Sequence, residues 1–138
     1  MLFRSGYSDK YYRPFPAGRR FVADPVQGTA PAWPDPHPDT MTLLGQRGVR
    51  HVGCDSPSMG PLPDLAEPTH VAGLKFGMIF TEGVTRLNLV KPGSFYCVLG
   101  PRHAKGMYGE GRALAIPPGP LANRLIASAT TKRVVELS

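Results

Sequence analysis

The residues able to carry metal or acid–base chemistry are His37, His51, His70 and His103, together with the carboxylates Asp55, Asp64, Glu67 and Glu82. A neutral imidazole beside a carboxylate suits zinc or manganese, and an ion so held lowers the pKa of bound water. His70 and Glu82 stand 12 positions apart, which is not the four-residue spacing that puts two ligands on one helix face. Only the fold can bring them together, and on spacing alone a lone histidine is more often a surface or satisfied core residue. The segment Asp55-Ser56-Pro57-Ser58 offers a carboxylate and two hydroxyls. Ser56 and Ser58 suit hydrogen bonds to substrate or to metal ligands, and equally suit capping of their own loop. Cys54 and Cys97 are 43 positions apart with no Cys-x-x-Cys spacing, so buried free thiols are expected rather than a disulfide or a zinc site.

These groups must be positioned by a chain rich in breakers, with 16 Gly and 16 Pro among 138 residues. Pro31, Pro34, Pro36 and Pro38 remove amide donors and restrict the residues before them, so residues 23–38 are expected to form a long ordered loop. Asp39 or Thr40 would cap a short helix over Met41–Gln46, ended by Gly48. A short buried strand follows around Val49–Gly53, then a loop from Cys54 to Pro68 that Pro61, Pro63 and Pro68 keep irregular. Thr69–Phe76 reads as a helical turn or two, Met78–Glu82 and Phe95–Leu99 as strands, and Arg112–Ile116 as a further strand stopped by Pro117-Pro118. Pro120 opens a helix with Leu121, Leu125, Ile126 and Ala129 at helical spacing, and Val134–Leu137 reads as a last strand, so residues 118–138 form a terminal helix and strand. The fold class is α/β, with a mixed sheet and short helices.

Composition narrows the functions. Charged residues at 19% and hydrophobic residues at 41% exclude a fully disordered chain. The longest apolar run falls far short of the ~18–20 residues of a membrane helix. Met1-Leu2-Phe3-Arg4 leads into polar and aromatic residues with no signal-peptide core, so a cytoplasmic location is expected. The net charge of +6 gathers at Arg19-Arg20 and Lys132-Arg133, with Tyr11, Tyr12 and Phe15 near the first cluster. The other basic residues are scattered singly and no nucleic-acid-binding motif occurs, which favours a solvated surface over a nucleic-acid interface.

Several stretches, taken in order, resemble one family. They are Arg47-Gly48-Val49-Arg50-His51-Val52-Gly53-Cys54-Asp55-Ser56-Pro57-Ser58, then Glu67-Pro68-Thr69-His70-Val71-Ala72-Gly73-Leu74, then Gly77-Met78-Ile79-Phe80-Thr81-Glu82. Arg86-Leu87-Asn88-Leu89 and Gly111-Arg112-Ala113-Leu114-Ala115 continue the pattern, and Met1–Ser8 is similar to the strand and turn that open the second half of such proteins. Together these resemble the cyclase/kynurenine formamidase family of metal-dependent hydrolases. The resemblance implies that His70 and Glu82 are metal ligands, for zinc or manganese. It implies that Asp55, Ser56 and Ser58 lie near substrate or behind the ligands, and that the ancestral chemistry is arylformamidase-like hydrolysis of an amide or lactam C–N bond, in the setting of tryptophan catabolism.

The departure from the family is as informative. Its main metal motif, His-x-Gly-Thr-His-x-Asp-x-Pro-x-His, is absent, and His37 within Asp35-Pro36-His37-Pro38-Asp39 lacks the paired histidines and glycine. Two ligands do not make a hydrolytic site with three ligands and an open position. The family's Pro-Leu-Lys is replaced by Leu99-Gly100-Pro101-Arg102, and Arg133–Ser138 resembles the strand with which the family begins. The expectation is one partial cyclase-like domain over residues 1–138, the C-terminal half of the family fold, inactive alone. The N-terminal half would be lost or supplied by a second chain in a homo- or hetero-oligomer acting on a small amide. The alternative is a non-catalytic interaction protein that uses the half-fold's exposed sheet and loops to pair with a partner.

Overall fold

The computed structural model describes residues 1–100, 109 and 111–131. The strand expected over Val134–Leu137, the Lys132-Arg133 pair and His103 lie outside the described residues. Two compact units are present, Met1–Asn88 and a second that starts at Leu89.

In the first unit, strands β1 (Leu2–Phe3), β2 (His51–Cys54) and β3 (Ile79–Thr81) form a parallel sheet in that order. Leu2 pairs with Gly53, Phe3 with Cys54, and Val52 with Phe80. The β1–β2 connection carries helices α1 (Tyr7–Tyr11), α2 (Ala23–Val26) and α3 (Pro38–Gln46), with a 3-10 turn at Ala17–Phe21, and α4 (Ala66–Leu74) connects β2 to β3. Helices between parallel strands are what the alternation of short apolar runs and breakers calls for. A core of Met41 and Leu44 from α3, Val52 and Cys54 from β2, Ala72 from α4, and the loop residues Met59 and Met78 sits between sheet and helices. A second cluster joins Tyr7, Phe21 and Trp33, and the Trp33 indole N–H donates to the Gly60 carbonyl at 2.9 Å. The apolar ring is thus buried while its one polar atom is satisfied. Helices α3 and α4 approach closely enough that a side chain at Gly45 would collide with the Phe76 ring.

The second unit pairs β4 (Phe95–Leu99) with β5 (Arg112–Ile116) antiparallel, Cys97 opposite Leu114, and continues into α5 (Pro120–Thr131). The α/β class with short helices is the one expected, with the parallel and antiparallel pairings in separate sheets.

Several expected boundaries are corrected. Residues 23–38 are not loop throughout: Ala23–Val26 form a helical turn and α3 starts at Pro38. The α3 cap is His37 rather than Asp39 or Thr40; its Nδ1 accepts from the Asp39 amide at 3.2 Å, and Pro38 takes the first helical position. A proline there loses nothing, because that amide has no partner inside the helix. For the same reason Pro68 does not keep its segment irregular, since α4 begins at Ala66 and runs through it. Leu87–Leu89, for which the sequence sets no element, form a 3-10 turn. Both cysteines are free, but only Cys54 is buried and Cys97 is intermediate.

Candidate functional site

The carboxyl ends of the three parallel strands converge on one region, the place where open α/β sheets hold ligands. Arg4 follows β1, Asp55 follows β2 and Glu82 follows β3. Backbone bonds fix the β3 exit against the β2 exit: the Gly83 amide donates to the Ser56 carbonyl at 2.7 Å and the Val84 amide to the Cys54 carbonyl at 3.0 Å. Glu82 is thereby held beside the Asp55-Ser56 segment.

Folding brings His70 and Glu82 together. His70 stands on α4, and its Nε2 lies 2.9 Å from Glu82 Oε1, with the two side chains 30% and 31% exposed. Its Nδ1 lies 2.8 Å from the Ala66 carbonyl in the preceding helical turn. A carbonyl only accepts, so Nδ1 carries a proton and Nε2 is the atom left to face the carboxylate. The Phe80 ring meets the imidazole edge-on, centroids 5.1 Å apart, and fixes its plane. Glu82 Oε1 also accepts the Met59 amide at 2.6 Å. The hydrogen bond that the His70 ring donates to the Glu82 carboxylate raises the His70 pKa, with burial opposing. Protonated, His70 donates Nε2–H to the carboxylate as an ion pair; neutral, it turns a nitrogen lone pair toward a carboxylate oxygen, a repulsion that a proton or a cation relieves.

Asp55 is placed differently. One oxygen accepts the Ser5 amide at 2.9 Å and the Ser5 hydroxyl at 2.7 Å, and the other accepts the Gly6 amide at 2.7 Å. The carboxylate is 1% exposed and clamps the turn after β1, where Gly6 adopts the left-handed conformation at φ 79°. Ser56 is fully buried and donates to Asp35 Oδ2 at 2.5 Å, with a longer contact of 3.4 Å to the Ser58 carbonyl. Ser58 thus meets this network through its backbone.

Asp35 is the functional group that sequence reading did not single out. Burial pushes its pKa up to about 7; the Ser56 hydrogen bond opposes this, and the charges of Asp55 and Glu82 add to it. Its loop is pinned on both sides, through Trp33 to Gly60 at 2.9 Å and through the Thr69 hydroxyl to the Pro36 carbonyl at 3.3 Å. The available signal was a carboxylate fixed between Pro34 and Pro36, but nothing local named its partner 21 positions away.

The other candidates lie elsewhere. His37 caps α3. His51 on β2 meets the Thr81 hydroxyl at 2.7 Å, and burial lowers its pKa. Burial pushes the Cys54 thiol up to about 12, which suits a core residue rather than a ligand or nucleophile. Among the described residues no three or more His, Cys, Asp or Glu side chains gather as a metal site. None of the described helices is long and apolar enough to cross a membrane.

Comparison with known proteins gives a partial relationship. The chain is 38% identical over 73 residues to a kynurenine formamidase of Salinibacter ruber, a match covering 50% of this chain and 34% of that protein. The chain thus spans about a third of the length of the curated relative it matches. No family profile matches the chain, and no solved structure does either. The similarity supports a weak cyclase/kynurenine formamidase-like relationship, at the level of a hydrolase-like family.

Proposed function

We propose that the chain is part of a metal-dependent hydrolase of small amides, arylformamidase-like in its chemistry, with His70 and Glu82 as two of the metal's ligands. The observation that carries this reading is the 2.9 Å approach of His70 Nε2 to Glu82 Oε1, with Nδ1 committed to the Ala66 carbonyl. The second-position hydrogen bond sets the tautomer that a ligating imidazole needs. The pair fits a zinc or manganese ion as two donors and not as a complete site. When bound, such an ion supplies Lewis acidity and an activated water for attack on an amide carbonyl. This chain's residues orient the donors: Ala66 and Phe80 fix the His70 ring, and the Met59 amide fixes Glu82. Ser56 and Asp35 hold a proton beside them, at the Ser56 hydroxyl or on the Asp35 carboxyl.

The remaining ligands, on this reading, come from a second polypeptide or segment carrying the family's histidine motif, and the chain alone does not turn over substrate. Zinc titration followed by competition with a chelator tests the first part. A weak site, weakened further in His70→Ala and Glu82→Gln, is expected; no difference between these variants and the parent removes the metal reading. Assay of the chain alone with an aryl formamide tests the second. Stoichiometric tight metal together with turnover would show that no other polypeptide is needed. A non-catalytic binding role is favoured by one observation, the exposure of Ile79 at 67% on β3 at the edge of the parallel sheet. A chain that binds no metal but self-associates, and that becomes monomeric as Ile79→Lys, would support that role instead.

A further inference from the structure

An open depression of about 300 Å³ lies between the exit of β1 and the loop that carries Asp35. Phe3, Pro34 and Pro36 give it a mainly apolar lining, and Arg4, Ser5, Asp35 and Thr40 are its polar residues. Its volume is at the lower end of the range for small-ligand sites. Neither His70 nor Glu82 lines it.

The chemistry of the lining restricts the occupant. Among the described residues the Arg4 guanidinium has no ion-pair partner, whereas Arg19 is paired with Asp24 at 3.4 Å. A planar guanidinium with five donors and no acceptor is built for a carboxylate or phosphate. Phosphate is disfavoured, because a dianion would have to give up its hydration in a lining that is mainly Phe3, Pro34 and Pro36. A singly charged carboxylate directed to Arg4 gives up less. The Asp35 carboxyl already accepts from the Ser56 hydroxyl at 2.5 Å and from the Gly60 backbone, which fixes it while leaving lone pairs for a ligand's O–H or N–H. Between these ends the ring of Phe3 and two prolines offer a flat apolar surface of the kind that covers a small ring.

We propose that this depression binds a small organic monocarboxylate with a ring-sized apolar body and one hydroxyl or N–H donor, its carboxylate on Arg4 and its donor on Asp35. The site does not depend on a metal at His70 and Glu82. The test is isothermal titration of the full chain with mandelate, which has all three features, with phenylacetate, which lacks the donor, and with benzyl alcohol, which lacks the carboxylate. Mandelate should bind saturably with a dissociation constant of about 1 mM or tighter, phenylacetate more weakly, and benzyl alcohol not measurably. Arg4→Met should weaken mandelate at least about tenfold and Arg4→Lys by less, because an ammonium keeps the charge and loses the bidentate fork. Arg4 is exposed, so both variants are expected to fold, which thermal melting verifies. Mandelate binding should be the same with and without a chelator present, which separates this site from the metal reading. Absence of saturable mandelate binding, equal binding by Arg4→Met, or equal binding of benzyl alcohol would each overturn the proposal.

Discussion

Asp55 and Glu82 occupy equivalent places, each the first residue after one of two neighbouring parallel strands, yet they do opposite work. Asp55 is 1% exposed and its two oxygens receive three donors from Ser5 and Gly6. Its hydrogen-bonding capacity goes into holding β1 to β2, and a carboxylate so enclosed has no route to a ligand. Glu82 keeps 31% of its side chain exposed and places one oxygen against His70. Position at the carboxyl end of a strand therefore provides the opportunity for chemistry, and the number and source of donors around the carboxylate decide whether it is used. Asp35 is an intermediate case, tied to the Ser56 hydroxyl and the Gly60 backbone and still lining an open depression.

The contrast can be broken most directly at Asp55. Replacing Asp55 with Ala removes the acceptor for three donors of Ser5 and Gly6 and opens a void where the buried carboxylate was, and should cost about 2–4 kcal/mol, read from the midpoint and slope of urea unfolding. A loss below about 1 kcal/mol would mean that the clamp is not structural. At Glu82 the balance should reverse. Glu82→Gln and His70→Ala should reduce zinc affinity by about ten- to a hundredfold in a chelator competition while changing stability by no more than about 1 kcal/mol. Equal damage to stability and metal affinity would erase the distinction between the two carboxylates.

Asp35 sharpens the comparison through pH. Its folded pKa is raised from the ordinary 3.8 to about 7, so the folded state binds the proton more tightly than the unfolded chain does. The favourable contribution is complete below the unfolded value and is lost as pH rises through the folded value. Chemical denaturation should therefore show stability falling between pH of about 4 and about 7, with a flatter profile in Asp35→Asn. A rising profile that is insensitive to this substitution would refute the assignment. The smallest effect is expected at the α3 cap, where His37→Ala should cost about 0.5 kcal/mol, because the Nδ1 bond to the Asp39 amide is long and exposed.

Much of the secondary structure was readable because its causes are local. Phe95–Leu99, Arg112–Ile116 and the helix opened by Pro120 appear where alternation, bounding glycines and helical spacing put them. The shifted boundaries have a local cause as well: proline breaks a helix interior, but Pro38 and Pro68 each fall in the first turn of a helix, where the missing donor is harmless. His70 and Glu82 are candidates by residue type and metal ligands by resemblance, and a separation of 12 positions does not by itself bring them together. Asp35 had no signal beyond two flanking prolines, since burial against Ser56 sets its behaviour.

By itself the sequence determined an α/β chain of short elements, rich in turns, whose donors include a histidine and a glutamate suited to a divalent ion. The tertiary structure decided which carboxylate does what. Parallel pairing of β1, β2 and β3 brings Arg4, Asp55 and Glu82 to one end of a sheet, and contacts over tens of residues then saturate one carboxylate, expose another and raise the pKa of a third. A side chain's type fixes what it can donate or accept, but solvent exposure and the partners already bound to it fix what it has left to give, and both are properties of the folded chain.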